Sequence, residues 1–187
     1  MRKRILGSVL LAGAMLVSGI TFNAYRAANI AGIYSETFRL CKTADQHAFV
    51  EKVFKENFSL LTVNPDHNFD VMLQKRSPNR HESKYFGKMD TVILYDNNDP
   101  VGFISYYMKK TYKGHILYLA IDQKFRRKGY ARKLVSFAMD SLKKQGAKVI
   151  KICTYDFNIA AQKLYTQQFG FIKEDQDGKF IFYRKDV

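Results

Sequence analysis

Asp122-Gln123-Lys124-Phe125-Arg126-Arg127-Lys128-Gly129-Tyr130-Ala131 is the stretch on which the reading of this chain turns. Before it, His115-Ile116-Leu117-Tyr118-Leu119-Ala120-Ile121 is a near-continuous apolar run, the pattern of a strand covered on both faces. After it, Leu134, Val135, Ala138, Met139 and Leu142 fall on one stripe of a helix expected over residues 129–145, with Gly146 as its stop. A buried strand thus gives way to an amphipathic helix within ten residues. A helix start carries unpaired backbone N–H groups and the positive end of a dipole. Gly129 and Ala131 let a ligand approach the backbone closely, and Arg126, Arg127 and Lys128 add positive charge. The junction suits a pyrophosphate. The same residues also fit a solvated basic turn that only begins a helix.

Outward from the junction, the patterns alternate in type. Residues 37–42 read as a half-buried strand. Thr43 and Gln46 have the spacing of a capping box, and Phe49, Val50, Val53 and Phe54 mark one face of the helix behind it. Residues 59–89 are expected to hold a second short helix and a loop. Strands are expected over 91–95 and 101–108 about a turn at 96–100, and Lys113-Gly114 reads as a further turn into the strand at 115–121. Downstream come a strand at 149–153, a short helix marked by Ala160, Ala161, Leu164 and Tyr165, and two strands about Asp177-Gly178. The order is β-α-α-β-β-β-α-β-α-β-β, an α/β chain with a mixed sheet and helices on its faces.

Two motifs stand at suitable separation along this order. Arg126, Gly129 and Ala131 resemble the Arg/Gln-x-x-Gly-x-Gly/Ala motif of the GNAT (GCN5-related N-acetyltransferase) family. Asn158, Ala161, Leu164, Tyr165, Gly170 and Phe171 resemble its second signature. The interval from Tyr165 to Gly170 is one residue longer than that signature has, so a bulge or a looser helix end is expected at Thr166-Gln167-Gln168-Phe169. The resemblance covers roughly residues 36–187 and implies the acyl-CoA N-acyltransferase fold, with acetyl-CoA as co-substrate and an amine as acceptor, whether a protein N-terminus, a lysine or a small-molecule amine.

The resemblance also implies roles. Backbone groups of Leu119, Ala120 and Ile121 would pair with the pantetheine arm like an added strand. The N–H groups of Arg127, Lys128, Gly129, Tyr130 and Ala131 would hold the pyrophosphate, with the charges of Arg126 and Lys128 in support. Asn158 would touch the pantetheine, and Tyr165 would serve as general acid to the leaving thiolate; read from spacing alone, Tyr165 is a core aromatic of a short helix. A lysine amine has a pKa of about 10.4 and an α-amine about 7.7–8, so a base matters more for lysine. His115 is the candidate base because imidazole titrates in a useful range, although it also fits a surface position beside a turn. Glu82, Asp90 and Asp156 are weaker candidates.

Composition bounds the alternatives. A chain of 187 residues with 47% hydrophobic and 26% charged residues can bury an ordinary single core. The formal net charge is +14, which fits attraction to polyanions or solubility alone. No recognised nucleic-acid motif is present, so nucleic acid is not the expected partner. Cys41 and Cys153 read as free buried thiols, and the scattered His47, His67, His81 and His115 do not form a zinc spacing. Residues 1–32 stand apart from the domain expected over 33–187: Met1-Arg2-Lys3-Arg4 precedes a charge-free stretch from Ile5 to Tyr25. That order fits a signal peptide, a signal-anchor giving membrane association through residues 5–25, or a packed helix with the enzyme in the cytoplasm. A non-catalytic acyl-CoA-binding module and a basic nucleic-acid or anionic-surface binder remain as alternative functions.

Overall fold

The computed structural model describes residues 37–62 and 86–187. Residues 1–32, with their apolar stretch, and Glu82 lie outside the described residues, as do four basic residues of the loop expected within 59–89, Lys75, Arg76, Arg80 and Lys84. The described strands are β1 (Phe38–Leu40), β2 (Phe86–Asp96), β3 (Asp99–Lys110), β4 (Lys113–Ile121), β5 (Val149–Tyr155), β6 (Ile172–Asp177) and β7 (Phe180–Asp186). They form one sheet in the order β1-β2-β3-β4-β5-β7-β6. Its single parallel pair is β4 with β5. The helices are α1 (Ala44–Glu56), α2 (Phe58–Leu61), α3 (Tyr130–Lys144) and α4 (Ile159–Lys163), and the last runs into a π-helical turn at Leu164–Gln168. This is the mixed α/β order expected from the sequence.

Local chemistry explains the element ends. The capping box forms as expected: Gln46 N–H donates to Thr43 Oγ1 at 3.3 Å, and Thr43 N–H donates to Gln46 Oε1 at 3.1 Å. Gly146, with φ of +97°, follows α3 where a left-handed residue is needed. The turn between β2 and β3 is tighter than the five residues expected. Asn97 and Asn98 alone make it, with φ of +50° and +70°, the left-handed pair that matches the twist of a hairpin. Lys113-Gly114 is not a turn. Lys110 pairs with Lys113, so Thr111 and Tyr112 turn the chain and Gly114 lies inside β4. A Cβ on Gly114 would come within 2.9 Å of the Leu142 methyl groups, so this glycine allows close packing of α3 on the strand.

Helix α3 covers one face of the sheet and α1 the other. Leu134, Val135, Ala138 and Leu142 pack with Val92, Ile104 and Ile116 in the larger core cluster. Val50, Val53 and Phe54 pack with Ile93, Phe103, Tyr118 and Ala120 in the smaller one. Strands β3 and β4 are therefore covered on both sides, which is why their apolar runs barely alternate.

Replacing Leu142 with Ala would empty a fully buried site between α3 and Gly114. The expected cost is about 2–5 kcal/mol, read as a lower urea midpoint with an unchanged slope.

Candidate active site

The site originates in a break of strand pairing. Strands β4 and β5 pair only over Lys113–Ile116 and Val149–Ile152. Beyond that point β4 holds one extra residue against β3: Tyr106 pairs with Ile116 and Ser105 with Tyr118, leaving Leu117 unmatched. Such a bulge bends its strand and sharpens the local twist. Leu117 and Tyr118 both pack on the α1 side, whereas Ile116, Leu119 and Ile121 pack on the α3 side. The strands part, and a cavity of about 510 Å³ opens between Ile116–Ile121 and Ile152–Tyr155. Its walls come from both core clusters, so it crosses the sheet from the α1 face to the α3 face. Along it, Leu119, Ala120 and Ile121 present a strand edge with no β5 partner.

The turn after β4 closes one end. Asp122 is buried at 5% exposure and its Oδ1 accepts from the Lys124 N–H at 3.0 Å. Its Oδ2 accepts from Lys52 Nζ of α1 at 2.7 Å. Burial pushes the Asp122 carboxyl up, but Lys52 and the Lys124 amide outweigh it and hold the pKa below its ordinary value. The chain then enters the left-handed region at Arg127, with φ of +63°, and again at Gly129, with φ of +81°. Gly129 caps α3 without any side-chain acceptor, and a Cβ built on it would meet nothing within 4 Å. The first helical bond back to it comes from Lys133 N–H at 3.3 Å. The N–H groups of the first turn are thus open toward the cavity side, where Arg126, Arg127 and Arg132 also stand. Tyr130 OH donates to Asp96 and anchors this helix start to the end of β2.

The opposite wall comes from α4 and the π turn. Asn158 Oδ1 accepts from Ala161 N–H at 3.2 Å and caps α4, so this side chain shapes the helix as well as lining the cavity. Tyr165 also lines it, 4% exposed, with ring centroids 6.2 Å from Phe171 and 6.0 Å from Tyr183. Burial pushes the Tyr165 phenol above its ordinary pKa, with Cys153 and Tyr183 adding to the rise. The extra residue between Tyr165 and Gly170 is absorbed by the π turn. Phe171 N–H reaches Tyr165 O at 3.0 Å and Gly170, with φ of +64°, ends the element. The added residue therefore leaves Tyr165 on the cavity.

Most of the residues predicted from sequence converge here: Leu119, Ala120, Ile121, Arg126, Arg127, Gly129, Tyr130, Ala131, Asn158 and Tyr165 all line the cavity. Lys128 is not on its wall; the ammonium sits over the Phe125 ring, 5.4 Å from the centroid. His115 also lies off the wall, before the bulge, with Nδ1 3.0 Å from Tyr107 OH. Burial, then Lys109, Lys151 and Lys113, lower its pKa to about 4. Asp90 on β2 and Asp156 beyond β5 are likewise off the wall. Sequence reading missed Asn57, Leu60 and Leu61 at the α1–α2 junction, Arg132, and the face formed by Cys153, Tyr155 and Phe180. The alternation of β5 offered a signal for Cys153 and Tyr155; the others are brought in by folding. Cys153 and Cys41 are free and partly buried. Among the described residues, no group of three His, Cys, Asp or Glu side chains could hold a metal ion. No described helix is long and apolar enough to cross a membrane.

Fold and cavity together define an α/β protein with a cavity between parted parallel strands and an open helix start at one end of it. Residues 43–171 match the model of the acetyltransferase (GNAT) family, and the chain belongs to that family. Among solved structures it is similar to a chain of the NatC complex bound to Gag peptide and CoA, at TM-score 0.62 and 23% identity over 80% of this chain and 97% of that one. It is similar to the ribosomal-protein-alanine N-acetyltransferase of Brucella melitensis, at TM-score 0.61 and 14% identity over 80% and 99% of the two chains. It is also similar to the PaiA N-acetyltransferase of Thermoplasma acidophilum in complex with coenzyme A, at TM-score 0.59 and 15% identity over 81% and 99%. No curated protein sequence matches the chain.

His115 gives a pH signature of folding. Its folded pKa of about 4 lies below the ordinary 6.5, so the unfolded chain takes up more protons between those values. The stability linked to His115 is whole above pH 6.5 and is lost as pH falls through 4. Relative to His115→Gln, the wild type should lose about 3 kcal/mol from pH 7 to pH 4, measured by urea titration at each pH.

Proposed function

We propose that this protein transfers an acetyl group from acetyl-CoA to a peptide α-amine by direct attack. The observation that carries the proposal is the cavity between parted β4 and β5, with the open start of α3 at one end and Tyr165 on its wall. These residues fit acetyl-CoA. The first-turn N–H groups, with Arg127 and Arg132, suit its pyrophosphate. The unpartnered edge at Leu119, Ala120 and Ile121 suits hydrogen bonds to an extended amide-bearing arm. When bound, acetyl-CoA supplies the activated thioester; every other contribution is the chain's own.

In the transfer, a nitrogen–carbon bond forms, a carbon–sulfur bond breaks, and the proton lost by nitrogen is balanced by one gained at sulfur. Tyr165 is protonated at neutral pH, as an ordinary phenol with a pKa of about 10 would be, and burial raises its pKa further. It therefore acts as a hydrogen-bond donor where negative charge builds on the leaving sulfur, and relays a proton there as the amine gives one up. The extended Tyr165–Gly170 interval does not favour a non-catalytic module, because the π turn leaves this phenol on the cavity wall.

The acceptor class follows from the walls. Among the described residues, no Asp, Glu or His lines the cavity, while Leu60, Leu61, Tyr118, Tyr155 and Phe180 give its α1 side an apolar and aromatic character. At pH 7.5 about a third of an α-amine is already neutral, against about a thousandth of a lysine amine. The apolar lining and the larger neutral fraction favour the former. The solved neighbours, among them a ribosomal-protein-alanine N-acetyltransferase and a peptide-bound complex, support the same choice.

Tyr165→Phe should lower kcat about 10²–10³-fold, with acetyl-CoA affinity by calorimetry held within about threefold. Steady-state assays should also show a peptide with a free apolar N-terminus outpacing an N-blocked lysine peptide by more than about tenfold at pH 7.5. Equal or reversed rates would rule out the α-amine assignment.

A further inference from the structure

Two polar ties cross from the end of α1 to the turn after β4. Lys52 reaches Asp122 at the head of that turn. Asn57 reaches its far end, where Arg126 Nη2 donates to Asn57 Oδ1 at 2.6 Å. Asn57 is only 4% exposed, and its Nδ2 donates to Val53 O at 2.7 Å, so both ends of the amide are used. Its backbone carbonyl accepts from Leu60 N–H at 2.9 Å and Leu61 N–H at 3.1 Å. It thereby starts α2, the turn that puts Leu60 and Leu61 on the cavity. Arg126 is steered further by Nε donating to Ile121 O at 3.4 Å. The first arginine of the turn is thus occupied by the protein at its guanidinium.

We propose that Asn57 is a positioning residue that couples the two ends of the site. Its backbone shapes the α1-side wall while its side chain fixes the phosphate turn through Arg126. This rests on the reading of that turn as the acetyl-CoA site. A buried amide can link the two because it has no slack. Shifting α2 pulls its oxygen from Arg126, and releasing Arg126 leaves a buried acceptor unpaired. Arg127, immediately after it, takes φ of +63°, a conformation unfavourable for a residue with a side chain.

The test is a double-mutant cycle of Asn57→Ala and Arg126→Ala in the full chain, reading acetyl-CoA Kd by calorimetry and peptide KM by initial rates. Coupling predicts cross effects of about tenfold: Asn57→Ala weakens acetyl-CoA, and Arg126→Ala raises peptide KM. The double variant should be little worse than either single. Additive losses, or effects confined to each residue's own side, would overturn the proposal. If Asn57→Ala does not fold, judged by circular dichroism, Arg126→Ala decides alone: an unchanged peptide KM overturns the coupling. Failure of the wild type to bind acetyl-CoA would instead remove the functional reading beneath it.

Discussion

The parting of β4 from β5 is the constraint on which the rest depends. Two parallel strands that hydrogen-bond for four residues and then separate must leave backbone groups unsatisfied along both edges. The cause is local: one extra residue, Leu117, turns the end of β4 away from β5. The surroundings are arranged to tolerate the opening. Helix α1 and helix α3 grip β4 from opposite faces, and β3 pairs with it beyond the bulge. A strand so held keeps its course without its other neighbour. The open edge is then available to an extended partner, and the helix that follows directs the positive end of its dipole to the same place.

Electrostatics around the turn are organised at short range. The net charge of +14 is spread over the chain, but the cavity uses few of those charges. Arg126 is held by Asn57 and Lys128 sits over a ring, leaving Arg127 and Arg132 as wall cations with no hydrogen-bond partner among the described residues. The one buried carboxylate at the turn, Asp122, is neutralised by Lys52 and a backbone amide. The field at the helix start is therefore positive through geometry as much as through composition.

Legibility from sequence followed the range of the interactions. The capping box at Thr43 and Gln46, the α3 stripe and its Gly146 stop are set by residues within a turn or two of one another, and they read correctly. The π turn was legible as a miscount in a motif, since a surplus residue has to be accommodated somewhere. The Asn97-Asn98 hairpin was blurred because Pro100 looks like turn chemistry, whereas it opens β3. Gly114 misled for a similar reason, since the demand for a glycine there comes from Leu142, 28 positions away. His115 shows the same limit in the site. Its chemistry suited a base, but the bulge two residues later separates it from the cavity. Asn57 and Phe180 arrive from distant segments and carry no local mark at all.

A passage that crosses a sheet differs in kind from a pocket sunk into one face. Because walls from the α1 side and the α3 side meet between β4 and β5, a substitution in either layer of the core reshapes the same cavity.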